Sequence, residues 1–166
     1  TTEYGKNRAH VEEVLWAVHE LAIPTIFNLL GPLANPAGVQ HQIMGVGNPS
    51  HLQLMAEALA GLGAKHALVI HGEPGFGEAT PAGALRILPV RDGKVLPEER
   101  WDPEELGLHP CTIEDLAPGP AASSLEEARG LLQGGGRRAL RDTIACNMAM
   151  AYRVLDLEPN LAKGVE

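Results

Sequence analysis

The chain has 166 residues, 45% of them hydrophobic, enough to bury one core of ordinary domain size. Thirteen basic against 21 acidic residues leave a formal net charge of −8 and a pI near 5.3. That balance argues against a nucleic-acid partner, because binding to phosphate backbones relies on basic patches that displace counterions.

No apolar run approaches the roughly 20 residues a membrane-spanning helix needs. The start, Thr1-Thr2-Glu3-Tyr4-Gly5-Lys6, has no apolar signal-peptide core. Cys111 and Cys146 are too few and too far apart for a disulfide framework or a four-thiolate zinc site. Together these features lead us to expect a cytoplasmic protein with no membrane partner.

Val11, Val14, Leu15, Val18 and Leu21 fall on one helical face, so residues 10–22 read as an amphipathic helix ending before Pro24. The next run, Thr25 to Pro36, alternates too little for a strand. Gly31, Pro32 and Pro36 break it too often for a long helix. An apolar turn stiffened in this way is either a buried connector or a wall that presents its Gly-Pro edge to a cleft. Residues 40–46 read as a strand. Asn48 as N-cap and Pro49 in the first turn then open a helix with Leu52, Met55, Leu59 and Leu62 on its inner face, closed by Gly61 and Gly63.

Lys65 to His71, apolar and bounded by glycine, reads as a buried strand. Residues 84–90 form another, turning at Asp92-Gly93 so that 94–96 pair with it. Strand, helix and strand in that order predict a right-handed crossover, hence an α/β fold with a mixed, mainly parallel sheet flanked by helices. Residues 97–121, interrupted by Pro97, Pro103, Pro110, Pro118 and Pro120, read as a surface excursion with short helical turns. Ser124 and Glu127 have capping-box spacing for a helix over 124–133, ended by Gly134-Gly135-Gly136. Leu140, Ile144, Met148, Ala151 and Leu155 recur at about four-residue intervals, predicting a long helix over 138–156. Residues 1–166 are expected to form a single α/β domain.

The strongest physical candidate for a site is the segment His71 to Pro81, with Gly72, Gly75 and Gly77 and the acids Glu73 and Glu78. Loops at the carboxyl ends of parallel strands face the crevice where α/β proteins bind ligands. Magnesium favours one or two carboxylates together with substrate phosphates. The plainer reading is a surface loop with solvated acids. Gly134 to Arg138, leading into a helix, is either an interhelical linker or a helix-terminal anion site. The histidines His41, His51, His66, His71 and His109 show no metal-ligand spacing, and Cys146 sits in an apolar pattern as a small buried thiol.

Pro24 to Pro36, above all Phe27-Asn28-Leu29-Leu30-Gly31-Pro32, resembles the signature of the anthranilate phosphoribosyltransferases. These belong to the glycosyltransferase family that also contains pyrimidine nucleoside phosphorylases. The likeness continues through Gln42 to Val46, Ala67 to Gly72, the Gly75-to-Pro81 loop and, more weakly, Asp142 to Asn147. It implies the larger, α/β domain of that fold. It also implies transfer of a phosphoribosyl group from phosphoribosyl pyrophosphate to anthranilate or a similar aromatic amine, with Mg2+ on the leaving group.

On that basis Glu78 is expected at the metal, Pro32 in the acceptor wall, and Asn28 and Gly31 shaping that wall. No catalytic residue is assigned. Relatives carry an Asp-Glu pair where this chain has Gly77-Glu78, and a carboxylate-binding arginine where it has Val18, with His19 beside it. Their glycine-rich phosphate loop lies in a preceding segment that these residues do not include, and relatives often form homodimers through the domain it belongs to. The resemblance therefore implies the C-terminal portion of a longer two-domain enzyme, catalytically silent when isolated. A non-catalytic relative serving as a binding module, or a transferase with another acceptor, are the alternatives.

Overall fold

Five strands form one mixed sheet: β1 (His41–Gly45), β2 (His66–Gly72), β3 (Leu85–Arg91), β4 (Lys94–Val95) and β5 (Glu99–Trp101). The computed structural model describes Gly31, Leu33 and residues 37–119 and 121–166. The chain divides into two units, Thr1–Gly38 and Val39–Glu166, and the second carries the sheet. The expected helix over 10–22, with Val18 and His19, and the site residues Asn28 and Pro32 lie outside the described residues.

β2 runs down the centre, buried along its whole length, as its unbroken apolar run predicts. β1 pairs with it in parallel, His41 opposite His66 through Gly45 opposite Ile70. The connection is α1 (Leu52–Gly61), entered through a single 3-10 turn, Pro49–His51. Asn48 caps that turn as expected, its side chain accepting from the Ser50 amide at 3.0 Å. Leu52, Met55 and Leu59 are buried, but Leu62, expected on the same face, lies past the helix end and is 64% exposed.

β3 returns antiparallel to β2, and both β4 and β5 pair antiparallel with β3. The expected mixed sheet flanked by helices is present, with the proportions reversed among the described strands: one pairing is parallel and three are antiparallel. The reason lies in the connections. Only β1 to β2 has a helix to carry the chain back to the same edge. The segment after β2 is a folded-back loop, and Asp92 and Gly93 take φ of 48° and 70°, which closes β3 onto β4 as a tight hairpin.

Leu68 and Ile70 of β2 and Leu85 and Ile87 of β3 project to one face. There they meet α4 (Arg138–Val154) through Cys146, Ala149, Met150 and Val154, and α5 (Leu161–Val165) through Leu161. The alternate residues, Ala67 and Val69 of β2 and Leu88 and Val90 of β3, are equally buried on the other face, where α1 packs. α4 is the long helix predicted, but the recurrent large residues do not form its buried face. Ile144, Met148 and Leu155 are 46%, 47% and 53% exposed. Cys146, Ala149, Met150 and Val154 face the core instead.

The proline-rich excursion contains β5, a 3-10 turn (Pro103–Leu106) and the short α2 (Ile113–Leu116). α3 (Ala121–Leu132) begins before Ser124, so the expected capping box with Glu127 does not start it. Glu127 instead takes a bidentate bond from Arg137, at 2.5 and 3.0 Å. A capping box does form one element earlier, where Thr112 and Asp115 exchange bonds of 2.8 and 3.3 Å at the start of α2.

Candidate functional site

The parallel pair ends at Gly45 in β1 and Gly72 in β2, and the chain after Gly72 folds back over both ends. Val46 extends the ladder, its amide donating to Ile70 at 2.9 Å. The buried His71 closes the corner by donating from Nδ1 to the Val46 carbonyl at 2.8 Å. A tight turn follows, in which the Phe76 amide donates to the Gly72 carbonyl at 2.7 Å and the Gly72 amide to the Phe76 carbonyl at 2.9 Å. The Glu73 amide is held by the Ala84 carbonyl at 2.9 Å, which joins the entry and exit of the loop.

Two glycines make this fold-back possible. A Cβ on Gly45 would collide with the Gly77 carbonyl, and one on Gly72 would collide with the Glu78 carbonyl. The loop therefore lies directly on the strand ends, backbone against backbone. By contrast Gly31 is helical and exposed, and among the described residues nothing stands within 4 Å of where its Cβ would be. Neither close approach nor unusual backbone geometry requires glycine there.

The loop leaves Glu78 exposed, and no hydrogen bond or ion pair engages its carboxylate among the described residues. The next residue, Ala79, is fully buried. Its amide donates to Asn147 Oδ1 at 3.2 Å and its carbonyl accepts from Asn147 Nδ2 at 2.8 Å. Glu73, the other acid of the segment, behaves differently. Its carboxylate lies 3.6 Å from the Arg100 guanidinium, which also bonds Asp102 at 2.7 Å. Of the two acids, Glu78 is the one left available.

No group of three or more His, Cys, Asp or Glu could hold a metal ion among the described residues. A cation held by protein ligands alone is therefore not what these residues build. A single free carboxylate on a fixed loop does fit magnesium, which keeps several waters and is commonly shared with substrate phosphates. A thiol nucleophile is not offered either. Burial pushes the Cys146 thiol up to about 12, and burial raises Cys111 as well.

A cavity of about 300 Å3 opens elsewhere, between the excursion and the start of α4, lined by His109, Cys111, Asp115, Arg137 and Arg138 among others. Its cations are already engaged. Arg137 gives Nε and Nη2 to Glu127 and Nη1 to the carbonyls of Asp115 and Ala117 at 2.9 and 3.1 Å. Arg138 lies 2.5 Å from His109 Nδ1 and 3.5 Å from Asp142. Of the two readings of Gly134 to Arg138, the linker is the one these contacts support.

Sequence reasoning singled out the loop and Glu78 as candidates and missed the parts that hold them. Gly45 inside a strand was a legible sign of close backbone approach. Asn147, a poor helix former in the middle of a long helix, was another. The partners of both were not legible, since they are set by tertiary contact.

Residues 5–166 match the glycosyl transferase family, a/b domain. The chain is 39% identical over 147 residues to anthranilate phosphoribosyltransferase of Chloroflexus aggregans, covering 89% of this chain and 43% of that one. It is 41% identical over 147 residues to the enzyme of the same name from Nitratidesulfovibrio vulgaris, covering 86% and 43%. Among solved structures, anthranilate phosphoribosyltransferase from Thermus thermophilus superposes with a TM-score of 0.76 at 39% identity, over 89% of this chain and 43% of that one. The Saccharomyces cerevisiae enzyme in complex with PRPP and magnesium gives a TM-score of 0.75 at 25% identity, over 95% and 44%. The chain thus spans less than half the length of the relatives it matches.

Proposed function

The chain belongs to the glycosyl transferase family, a/b domain, and from that premise we propose that it supplies the magnesium-facing part of an anthranilate phosphoribosyltransferase-like enzyme. In that reaction the aromatic amine nitrogen bonds to the anomeric carbon of phosphoribosyl pyrophosphate. The bond from that carbon to pyrophosphate breaks, and the amine proton passes to solvent. Positive charge develops on the ribose ring and negative charge on the leaving group, so a cation held at the pyrophosphate stabilises the transition state more than the ground state. Glu78 is the residue proposed to hold that magnesium. Pro32, with Asn28 and Gly31, is proposed to wall the acceptor.

One observation carries the reading: an exposed carboxylate, unengaged among the described residues, at the carboxyl ends of a parallel strand pair, on a loop whose backbone is pinned on both sides of it. The similarity to enzymes of this name, one of them solved with PRPP and magnesium, supports the substrate class.

Calorimetric titration of the intact protein with phosphoribosyl pyrophosphate, with and without magnesium, tests it. Micromolar binding that requires magnesium and weakens in Glu78→Gln is expected. Gly77 favours a second reading, a non-catalytic relative, because it leaves one carboxylate where two would hold the metal more firmly. Absence of magnesium-dependent binding would select that reading and remove the first.

A further inference from the structure

Asn147 occupies a position in the middle of α4 where helix propensity alone disfavours it, because asparagine offers the backbone competing hydrogen bonds. What it does there is specific. Its amide oxygen accepts from the Ala79 N–H at 3.2 Å, and its amide nitrogen donates to the Ala79 carbonyl at 2.8 Å. The remaining proton goes to the Thr143 carbonyl one turn earlier, at 2.8 Å, which fixes the orientation of the side chain. Ala79 is fully buried but lies outside every strand, so no sheet ladder can satisfy its amide and carbonyl. Asn147 supplies both partners at once.

Ala79 directly follows Glu78. On the preceding side the Gly77 carbonyl rests on Gly45, and the Glu78 carbonyl itself rests on Gly72. The backbone around Glu78 is therefore fixed from the strand side, and Asn147 fixes it from the helix side. The Cα of Glu78 is thus held in one place, whereas on a loosely seated loop it would shift with the chain.

We infer that Asn147 is a positioning residue for Glu78: by clasping Ala79 from the core helix, it fixes the place from which the Glu78 carboxylate is offered to a divalent cation. The inference rests on the proposed role of Glu78, and Asn147 itself touches neither metal nor substrate.

The test is a double-mutant cycle in the intact protein, using Asn147→Ala, Glu78→Gln and both together. The reading is the magnesium concentration that half-saturates phosphoribosyl pyrophosphate binding. Asn147→Ala is expected to raise it about tenfold, and to add less than about twofold once Glu78 is already Gln. Equal effects in both backgrounds, or none in either, would overturn the inference.

A second measurement does not depend on any ligand. Hydrogen exchange in Asn147→Ala is expected to quicken at Ala79 and through residues 73–80, with the β2–β3 amides unchanged. Unchanged exchange at Ala79 would overturn the clasp itself. If the wild-type protein shows no magnesium-dependent binding, the transferase reading fails on its own. The role assigned to Asn147 toward a cation falls with it, whatever the exchange data say of the clasp. Should the alanine variant not fold, the isosteric Asn147→Asp keeps the acceptor and loses the donor, and carries both arms.

Discussion

At Gly45 a single methyl group decides whether the loop can sit on the strand ends. The overlap its Cβ would make is with the Gly77 carbonyl, a backbone atom that cannot swing aside. Gly45→Ala should therefore lower stability by about 1–3 kcal/mol, the usual cost of forcing extra volume into a packed site. A shift of the urea midpoint reads this, and an unchanged midpoint would mean the loop is not seated as described. The opposite side of the same contact behaves differently. A Cβ on Gly77 would meet the Gly45 backbone no closer than 3.5 Å, an ordinary contact, so a side chain is tolerated there. Gly77→Asp would place a second carboxylate beside Glu78. Two charges within several ångströms in a partly exposed site interact with a cation by a few kcal/mol at most. Magnesium-dependent binding of phosphoribosyl pyrophosphate should accordingly tighten by roughly tenfold, about 1.4 kcal/mol. Weaker or equal binding in the calorimeter would argue against a metal at this turn.

Elements show where local pattern is enough and where it is not. β2 and its neighbours were legible because an apolar run between glycines has few other solutions, and the Asn48-Pro49 start of the turn that leads into α1 was legible because capping is local chemistry. The direction of the sheet was misjudged because the β1–α1–β2 crossover was extended to the rest, although the connection from β2 to β3 holds no helix and folds back. The buried face of α4 was misread for a related reason. The buried face runs through Cys146, Ala149, Met150 and Val154, and two of these are small residues that a search for large apolar repeats passes over in favour of Ile144 and Met148. The candidate site divides in the same way: charge and neighbouring glycines marked out the loop with both Glu73 and Glu78, and only the family resemblance singled out Glu78, while His71 and Asn147 act through partners 25 and 68 residues away. The β2–β3 pairing also sets a pH response. His66 and Arg91 are cross-strand partners, with Arg91 Nη1 3.0 Å from His66 Nδ1. Burial first, and the Arg91 charge second, hold the His66 pKa below its usual 6.5, outweighing the pull of Asp156 at 3.4 Å. The unfolded chain then binds the proton more readily than the folded one. Stability should be complete above about pH 6.5 and decline as the pH falls from there toward the lower folded value. Urea midpoints at about pH 7.5, 6.5 and 5.5 measure this slope, and it should flatten in His66→Gln. A slope that survives the substitution would assign the effect to another group.

Across the whole second unit, the sheet and the α4 layer are joined by apolar packing and by one well-enclosed ion pair. Arg153 of α4 gives two bonds, 2.7 and 2.6 Å, to the Glu99 carboxylate of β5, which also accepts from the Trp101 indole at 3.2 Å. The side chains of Arg153 and Glu99 are only 17% and 31% exposed. The pairs Arg91–Asp156 and Arg100–Asp102 lie in the solvent by comparison, where screening leaves such bridges a median value of about 0–1 kcal/mol. The Arg153 bond holds the Glu99 carboxyl below its usual range, against the opposing effect of burial. A carboxylate lowered in the folded state contributes stability that is present above its unfolded pKa, near 4.5, and is lost as the pH falls through the folded value. Arg153→Met removes the charged partner but keeps much of the packing volume, leaving Glu99 half-buried with only the Trp101 indole to compensate it. Hydrogen bonds to charged groups contribute about 1.5–3 kcal/mol, so the variant should lose about that much at pH 7. Near about pH 3.5 a Glu99 freed of its partner takes up its proton, and the gap between variant and wild type should narrow. Added salt, which weakens the exposed pairs, should leave the gap at neutral pH largely in place. Denaturation of both proteins at the two pH values, with and without about 0.5 M salt to shorten the screening length, decides the matter. A gap that closes in salt, or persists unchanged in acid, would show that apolar packing alone joins the two layers.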